Sequence, residues 1–180
     1  MRCRWYIFFF FLLLPVVVAA QTFYTGKHVK KKDYGFGFEP LLHSSGPSKG
    51  FNFMFYSTYG VKRKMQWNGR LAGGSTMYLG SDLSWKLGKG AAFSTGAHYF
   101  EFPGLDFTFN LNLPLNRSFR LITGLDADVE FGDSVTVPIW LPIGYVMDIT
   151  INTFFFMQAG IAVADPAFHY FGAGLVIFYY

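Results

Sequence analysis

Cysteine is almost missing from this chain, and after its first twenty residues so is any long apolar run. The one cysteine, Cys3, stands ahead of the opening apolar stretch, which leaves no disulfide framework and no thiol chemistry to invoke. Charge is scarce too: Asp, Glu, Lys and Arg make up 14% of the 180 residues. Setting aside residues 1–20 removes two of the 15 basic residues and none of the 11 acidic ones, leaving 13 against 11. That balance excludes a nucleic-acid binder, which needs a concentrated basic face. Beyond Val18 no apolar run reaches the roughly 20 residues of a spanning helix. His28, His43 and His169 lack metal-ligand spacing, so no metal is expected. Dinucleotide and phosphate-loop fingerprints are missing, and no cofactor is implied.

Aromatic residues are abundant: 23 Phe, 11 Tyr and 4 Trp, more than a soluble core of this size requires. They fall into a pattern that is clearest in two runs. In Leu105 to Leu113, Leu105, Phe107, Phe109, Leu111 and Leu113 share one face and Asp106, Thr108, Asn110 and Asn112 the other. In Phe119 to Phe131, Phe119, Leu121, Leu125, Val129 and Phe131 oppose Arg120, Asp126, Asp128 and Glu130. A period of two marks half-buried strands. Asp, Asn and Glu are poor strand formers, so their environment must reward one wet face and one apolar face.

The start of the chain suggests the compartment. Arg2 and Arg4 precede an apolar run from Trp5 to Val18, interrupted by Pro15, and Val18-Ala19-Ala20 offers a cleavage point before Gln21. We read residues 1–20 as a cleavable signal peptide. Secreted, aromatic and without spanning helices is the combination expected of a transmembrane β-barrel.

Odd positions carry the apolar face in most of the runs near 50–61, 71–85, 91–102, 104–113, 119–130, 138–147, 153–163 and 168–180. Each is about long enough to cross a bilayer at a tilt. The expected fold is therefore all-β: an antiparallel up-and-down transmembrane barrel of about eight strands over 49–180. Residues 21–48 then form a rim, a plug or an extra strand. If Val61 to Trp67 is a strand of its own, the total is ten. Asn68-Gly69 is a two-residue hairpin signal, which makes 61–70 an outer hairpin with a basic, aromatic tip of Lys62, Arg63, Lys64, Trp67 and Arg70.

The even face supplies a predicted lumen network of Asp82, His98, Asp106, Asn110, Asn112, Arg120, Asp126, Asp128, Glu130 and Gln158. A turn at Pro114 to Ser118 sets Asn112 against Arg120 and Asp106 against Asp126. Pairing across Lys86 to Gly90 brings His98 near Tyr78. The bland reading is a polar network that rigidifies the lumen; the sharper one is a narrow cation-attracting path.

These runs, the leader and the aromatic-rich last strand Phe168 to Tyr180 give the chain its resemblance to the small bacterial outer-membrane β-barrel proteins, the OmpA-like and OmpX-like superfamily of eight-stranded barrels. The resemblance implies the cell outer membrane, contact with its lipid and lipopolysaccharide, and a terminal β-signal at Phe178, Tyr179 and Tyr180 for the barrel-assembly machinery. It says little about activity, and the lumen face of the last strand and the oligomeric state stay open. A structural or narrow-pore, porin-like role is expected. The alternatives are surface adhesion or ligand binding through the 61–70 hairpin, a lipid A-modifying enzyme, or a soluble periplasmic lipocalin-like barrel. No catalytic residue is assigned. Gly46-Pro47-Ser48-Lys49-Gly50 matches G-x-S-x-G without the strand-then-helix setting it needs. His43-Ser44-Ser45 resembles the His-x-Ser of lipid A deacylases, but Gly46 replaces the Asn that follows.

Overall fold

A computed structural model describes residues 29–44, 49–164, 167 and 169–180. The expected leader, Cys3, His28, Ser45 to Ser48 and Phe168 lie outside these. Among the described residues eleven strands are present: β1 Tyr34–His43, β2 Gly50–Lys62, β3 Met65–Gly74, β4 Tyr78–Lys86, β5 Ala91–Phe100, β6 Phe102–Pro114, β7 Phe119–Phe131, β8 Val135–Thr136, β9 Ile139–Asp148, β10 Thr153–Ala164 and β11 Tyr170–Tyr179. All pairings are antiparallel. β6 pairs with β7, β7 with β9, and β1 closes on β11, while the two-residue β8 only extends the far end of β7. The barrel thus has ten staves, the alternative count, and not eight.

Two local features account for the difference. Residues 71–85 are not one strand, because Gly73-Gly74-Ser75 breaks it: Gly74 sits at φ 141°, a conformation natural to glycine, and the Ser75 amide donates to the Phe51 carbonyl at 3.1 Å. The barrel also begins at Tyr34 rather than near residue 49. In β1 the parity is reversed, with Tyr34, Phe36 and Phe38 outward and Gly35, Glu39, Leu41 and His43 buried. Pro40 falls where the β1–β11 ladder skips from Phe38↔Leu175 to Leu41↔Gly172, a place that tolerates its missing N–H.

Asn68-Gly69 is not a turn. The β2–β3 hairpin turns at Arg63-Lys64, with Lys62 facing Met65 across a bulge. The bend therefore sits with the connections after β4, β6 and β9, at the end where β1 starts and β11 finishes. The expected outer hairpin lies at the same end as the turns read as inner ones. Exposed Lys30, Lys31, Lys32, Lys62, Arg63, Lys64, Lys86, Lys89 and Arg117 make this terminal end a basic rim.

The expected β6–β7 register is also shifted by two. Leu115 and Asn116 amides both donate to the Phe119 carbonyl, so Asp106 faces Asp128, Thr108 faces Asp126 and Asn112 faces Ile122. A slip of two preserves parity, so every side chain keeps its face. The last strand, ambiguous by pattern, turns Tyr170, Val176 and Phe178 inward and Phe171, Leu175, Ile177 and Tyr179 outward.

The interior is filled. Ile122, Val146, Phe154, Phe156, Val176 and Phe178 pack in one apolar cluster weighted toward the terminal end, and Leu41, Trp140 and Tyr170 form another toward the far end. Between them runs a belt of buried polar side chains.

Candidate functional site: the buried polar belt

Five neighbouring staves build the centre of the belt. β3 contributes Arg70, β4 Asp82, β5 His98, β6 Asp106 and Thr108, and β7 Asp126 and Asp128; all are buried. Alternation places each of them inward, and the ladders bring them level, since Gly80 lies opposite both Arg70 and His98 while Gly96 lies opposite both Asp82 and Asp106. The glycines leave room for rings. A Cβ at Gly104 would stand 2.5 Å from His98 Cε1, and one at Gly80 would meet the Tyr78 ring at 2.7 Å.

Arg70 is the hub. Its Nη2 donates to Asp106 Oδ2 at 2.9 Å and lies 3.1 Å from Asp82 Oδ2, so two carboxylates share one guanidinium nitrogen. The Tyr78 ring centroid lies 5.5 Å from the guanidinium carbon, and the same ring stacks with His98 at 5.5 Å and 19°. The predicted proximity of Tyr78 and His98 is met diagonally, because the facing pairs are Tyr78 with Phe100 and His98 with Gly80. His98 Nδ1 contacts Asp106 Oδ1, and its Nε2 is 3.9 Å from Asp128 Oδ2. Thr108 Oγ1 donates to Asp126 Oδ1 at 2.9 Å. Four aspartates therefore surround one arginine and one histidine in a space closed to bulk water.

The flanks extend the belt. Asn68, the supposed turn residue, accepts from Thr58 Oγ1 at 2.9 Å and Gln66 Nε2 at 3.0 Å and donates to Asp82 Oδ1 at 2.6 Å. On the other side, Gln158 Nε2 donates to both oxygens of Glu39 at 2.9 Å, and the Tyr56 hydroxyl donates to Glu39 Oε2. Glu39 is missing from the predicted lumen set because a strand was only one of three readings of residues 21–48; the Glu-Pro step hides an inward carboxylate in a strand of opposite parity.

Not every predicted lumen residue joins this centre. Asn110 and Asn112 are inward but nearer the terminal end. Arg120 pairs there with Asp148 and lies 5.2 Å over the Phe154 ring. Glu130, at the far end of β7, accepts from Thr136 Oγ1 at 3.1 Å. Of the five residues assigned to the hairpin tip, Lys62, Arg63 and Lys64 occupy the turn. Trp67 is on the outer wall, where its Nε1 donates to Ser81 Oγ at 2.8 Å. Arg70 is not at the tip; with 3% exposure it is the central interior cation. Of the hydrolase-like fragments, Ser44 Oγ donates to the His169 carbonyl at 3.1 Å, and residues 45–48 are outside the described set.

No family model matches the chain, and neither does any curated protein. Among solved structures, one from the de novo design of transmembrane β-barrels is similar at 5% identity, covering 85% of this chain and 100% of that one with a TM-score of 0.47. The N-terminal β-barrel domain of Pseudomonas aeruginosa OprF is similar at 9% identity, covering 84% of this chain and 100% of that one with a TM-score of 0.39.

Proposed function

We propose that this chain is a transmembrane β-barrel of the bacterial outer membrane whose filled interior gives it a structural, membrane-anchored role. The observation that carries this reading is the sorting of side chains across the wall. Large apolar residues point outward all around the barrel, from Phe36 (56% exposed) and Phe55 (52%) through Leu79 (53%) to Ile143 (45%) and Phe171 (48%), while the aspartates and Arg70 point inward. In water such a surface would be an aggregation liability; in hydrocarbon it is what a closed barrel requires. A lipocalin-like barrel needs the reverse sorting, with Phe107, Phe109 and Leu111 turned inward.

The basic rim supports the same reading. Its lysines and arginines lie where strands meet the headgroup layer, and anionic lipid favours each such charge by about 1 kcal/mol. Lipid contact is thus drawn to the terminal end as a whole and not to a single projecting hairpin. A narrow cation path keeps the acidic belt in its favour, but the apolar clusters above and below it fill the cross-section. No enzymatic step forms part of this proposal.

Fractionation decides. The protein should remain in the membrane pellet through a high-salt, alkaline wash, enter solution only with detergent, and migrate faster on a gel when unheated than when boiled. Release without detergent, with no heat-dependent mobility, would overturn the membrane assignment.

A further inference from the structure

We propose that His98 and Asp128, with Asp106 positioning the imidazole, form a binding site for one divalent first-row cation such as Zn²⁺ inside the barrel. The three side chains each offer a donor atom, and these atoms all lie within 4.8 Å of one another. Metal–ligand bonds of about 2.0 to 2.2 Å at a tetrahedral angle set two donors about 3.4 Å apart, so a shift of about half an ångström brings His98 Nε2 and Asp128 Oδ2, 3.9 Å apart, onto one cation.

The donors are also unspent. His98 Nε2 and Asp128 Oδ1 are buried and make no hydrogen bond, and the two side chains are only 1% and 6% exposed. A buried polar atom left without a partner is costly, and here the two belong to neighbouring side chains, with His98 Nε2 3.9 Å from Asp128 Oδ2. The roles divide by geometry. Asp106 holds His98 from behind through Nδ1 and is itself fixed by Arg70 Nη2. This carboxylate–imidazole arrangement orients the ring and leaves Nε2 to ligate. Asp128 supplies the carboxylate in front. An imidazole with carboxylate oxygen suits a borderline cation better than Ca²⁺ or Mg²⁺, which prefer all-oxygen shells.

Water has somewhere to stand. A small cavity of about 20 Å³, measured for the centre of a water-sized sphere, is lined by His98, Asp128, Tyr78, Glu130, Asn52 and Trp140 among others. That is room for about one water, a ligand for an open coordination position. A dication also offsets the excess of aspartates over Arg70. This inference rests on the belt alone and survives whether or not the barrel resides in the outer membrane.

The test uses the full chain folded in detergent micelles, stripped with chelator and dialysed against Zn²⁺. One bound equivalent is expected by elemental analysis, retained in a His43→Gln, His169→Gln double variant, with affinity at least tenfold weaker in Asp128→Asn and in His98→Gln. Zinc absorption spectroscopy of the loaded wild type should show a single imidazole with oxygen donors, a readout that needs no variant to fold. Loss of all binding in the His43/His169 double variant, undiminished affinity in Asp128→Asn, or two or more imidazoles on the zinc would each overturn the proposal. So would absence of stoichiometric zinc in the wild type.

Discussion

Arg70 shows how far a single residue's meaning depends on the register around it. In sequence it follows Asn68-Gly69 and three basic residues, a setting that reads as a hairpin tip; in the barrel it is the cation on which Asp82 and Asp106 converge. Breaking a buried ion pair by removing one partner costs about 3 to 5 kcal/mol, because the other charge stays buried and uncompensated. Arg70→Met, which keeps most of the volume, should therefore lower unfolding free energy by about that amount in a urea titration followed by tryptophan fluorescence. Arg63→Ala, at the exposed turn only seven residues away, should change it by less than about 0.5 kcal/mol. Equal, small effects at both positions would mean that the belt is not held by Arg70.

At the scale of the strand, what the sequence made legible and what it hid follow from the period of two. Faces were legible: Asp82, His98, Asp106, Asp126, Asp128 and Gln158 are inward as alternation requires, and Phe109, Leu125 and Met157 outward. Registers were not, because a hairpin that slips by two residues preserves parity; the 114–118 turn pairs its strands two residues away from the expected register. Turn position failed where chemistry overrode composition. Asn68 spends its amide on interior hydrogen bonds, while Gly73-Gly74, inside a run that otherwise alternates, makes the real break. β1 stays only one of three readings of residues 21–48 because its parity runs opposite to its neighbours. The outward faces make a depth-dependent prediction. Leu71, midway along β3 and 47% exposed, should tolerate arginine poorly, at a cost of about 2–4 kcal/mol in lipid vesicles. Leu87, at the rim and 59% exposed, should lose no more than about 1 kcal/mol on the same change. Equal costs at the two sites, read from denaturant midpoints in vesicles, would contradict a bilayer around the wall.

For the whole molecule, the question is whether a ten-stave barrel with four aspartates at its waist conducts ions. Stave number sets the bore, and side chains decide what remains of it. An ion travelling along the axis meets Leu41, Trp140 and Tyr170 at one end and Phe154, Phe156 and Phe178 at the other, none more than 4% exposed. The cavity beside His98, which borders the far-end cluster at Leu41 and Trp140, holds about one water. Purified protein in planar bilayers should therefore show no steady conductance, and Asp126→Ala should not change that. Phe156→Ala with Trp140→Ala opens both the terminal-end and the far-end cluster and should admit a leak. That leak should favour cations, since Asp82, Asp106, Asp126 and Asp128 outnumber Arg70 along the path, and Asp126→Ala in the double variant should weaken the preference. Heat-dependent gel mobility establishes beforehand that the double variant is folded. Stepwise conductance by the native protein would place a pore where the packing leaves none, and an anion-selective leak in the variant would show that the belt does not set the potential inside the barrel.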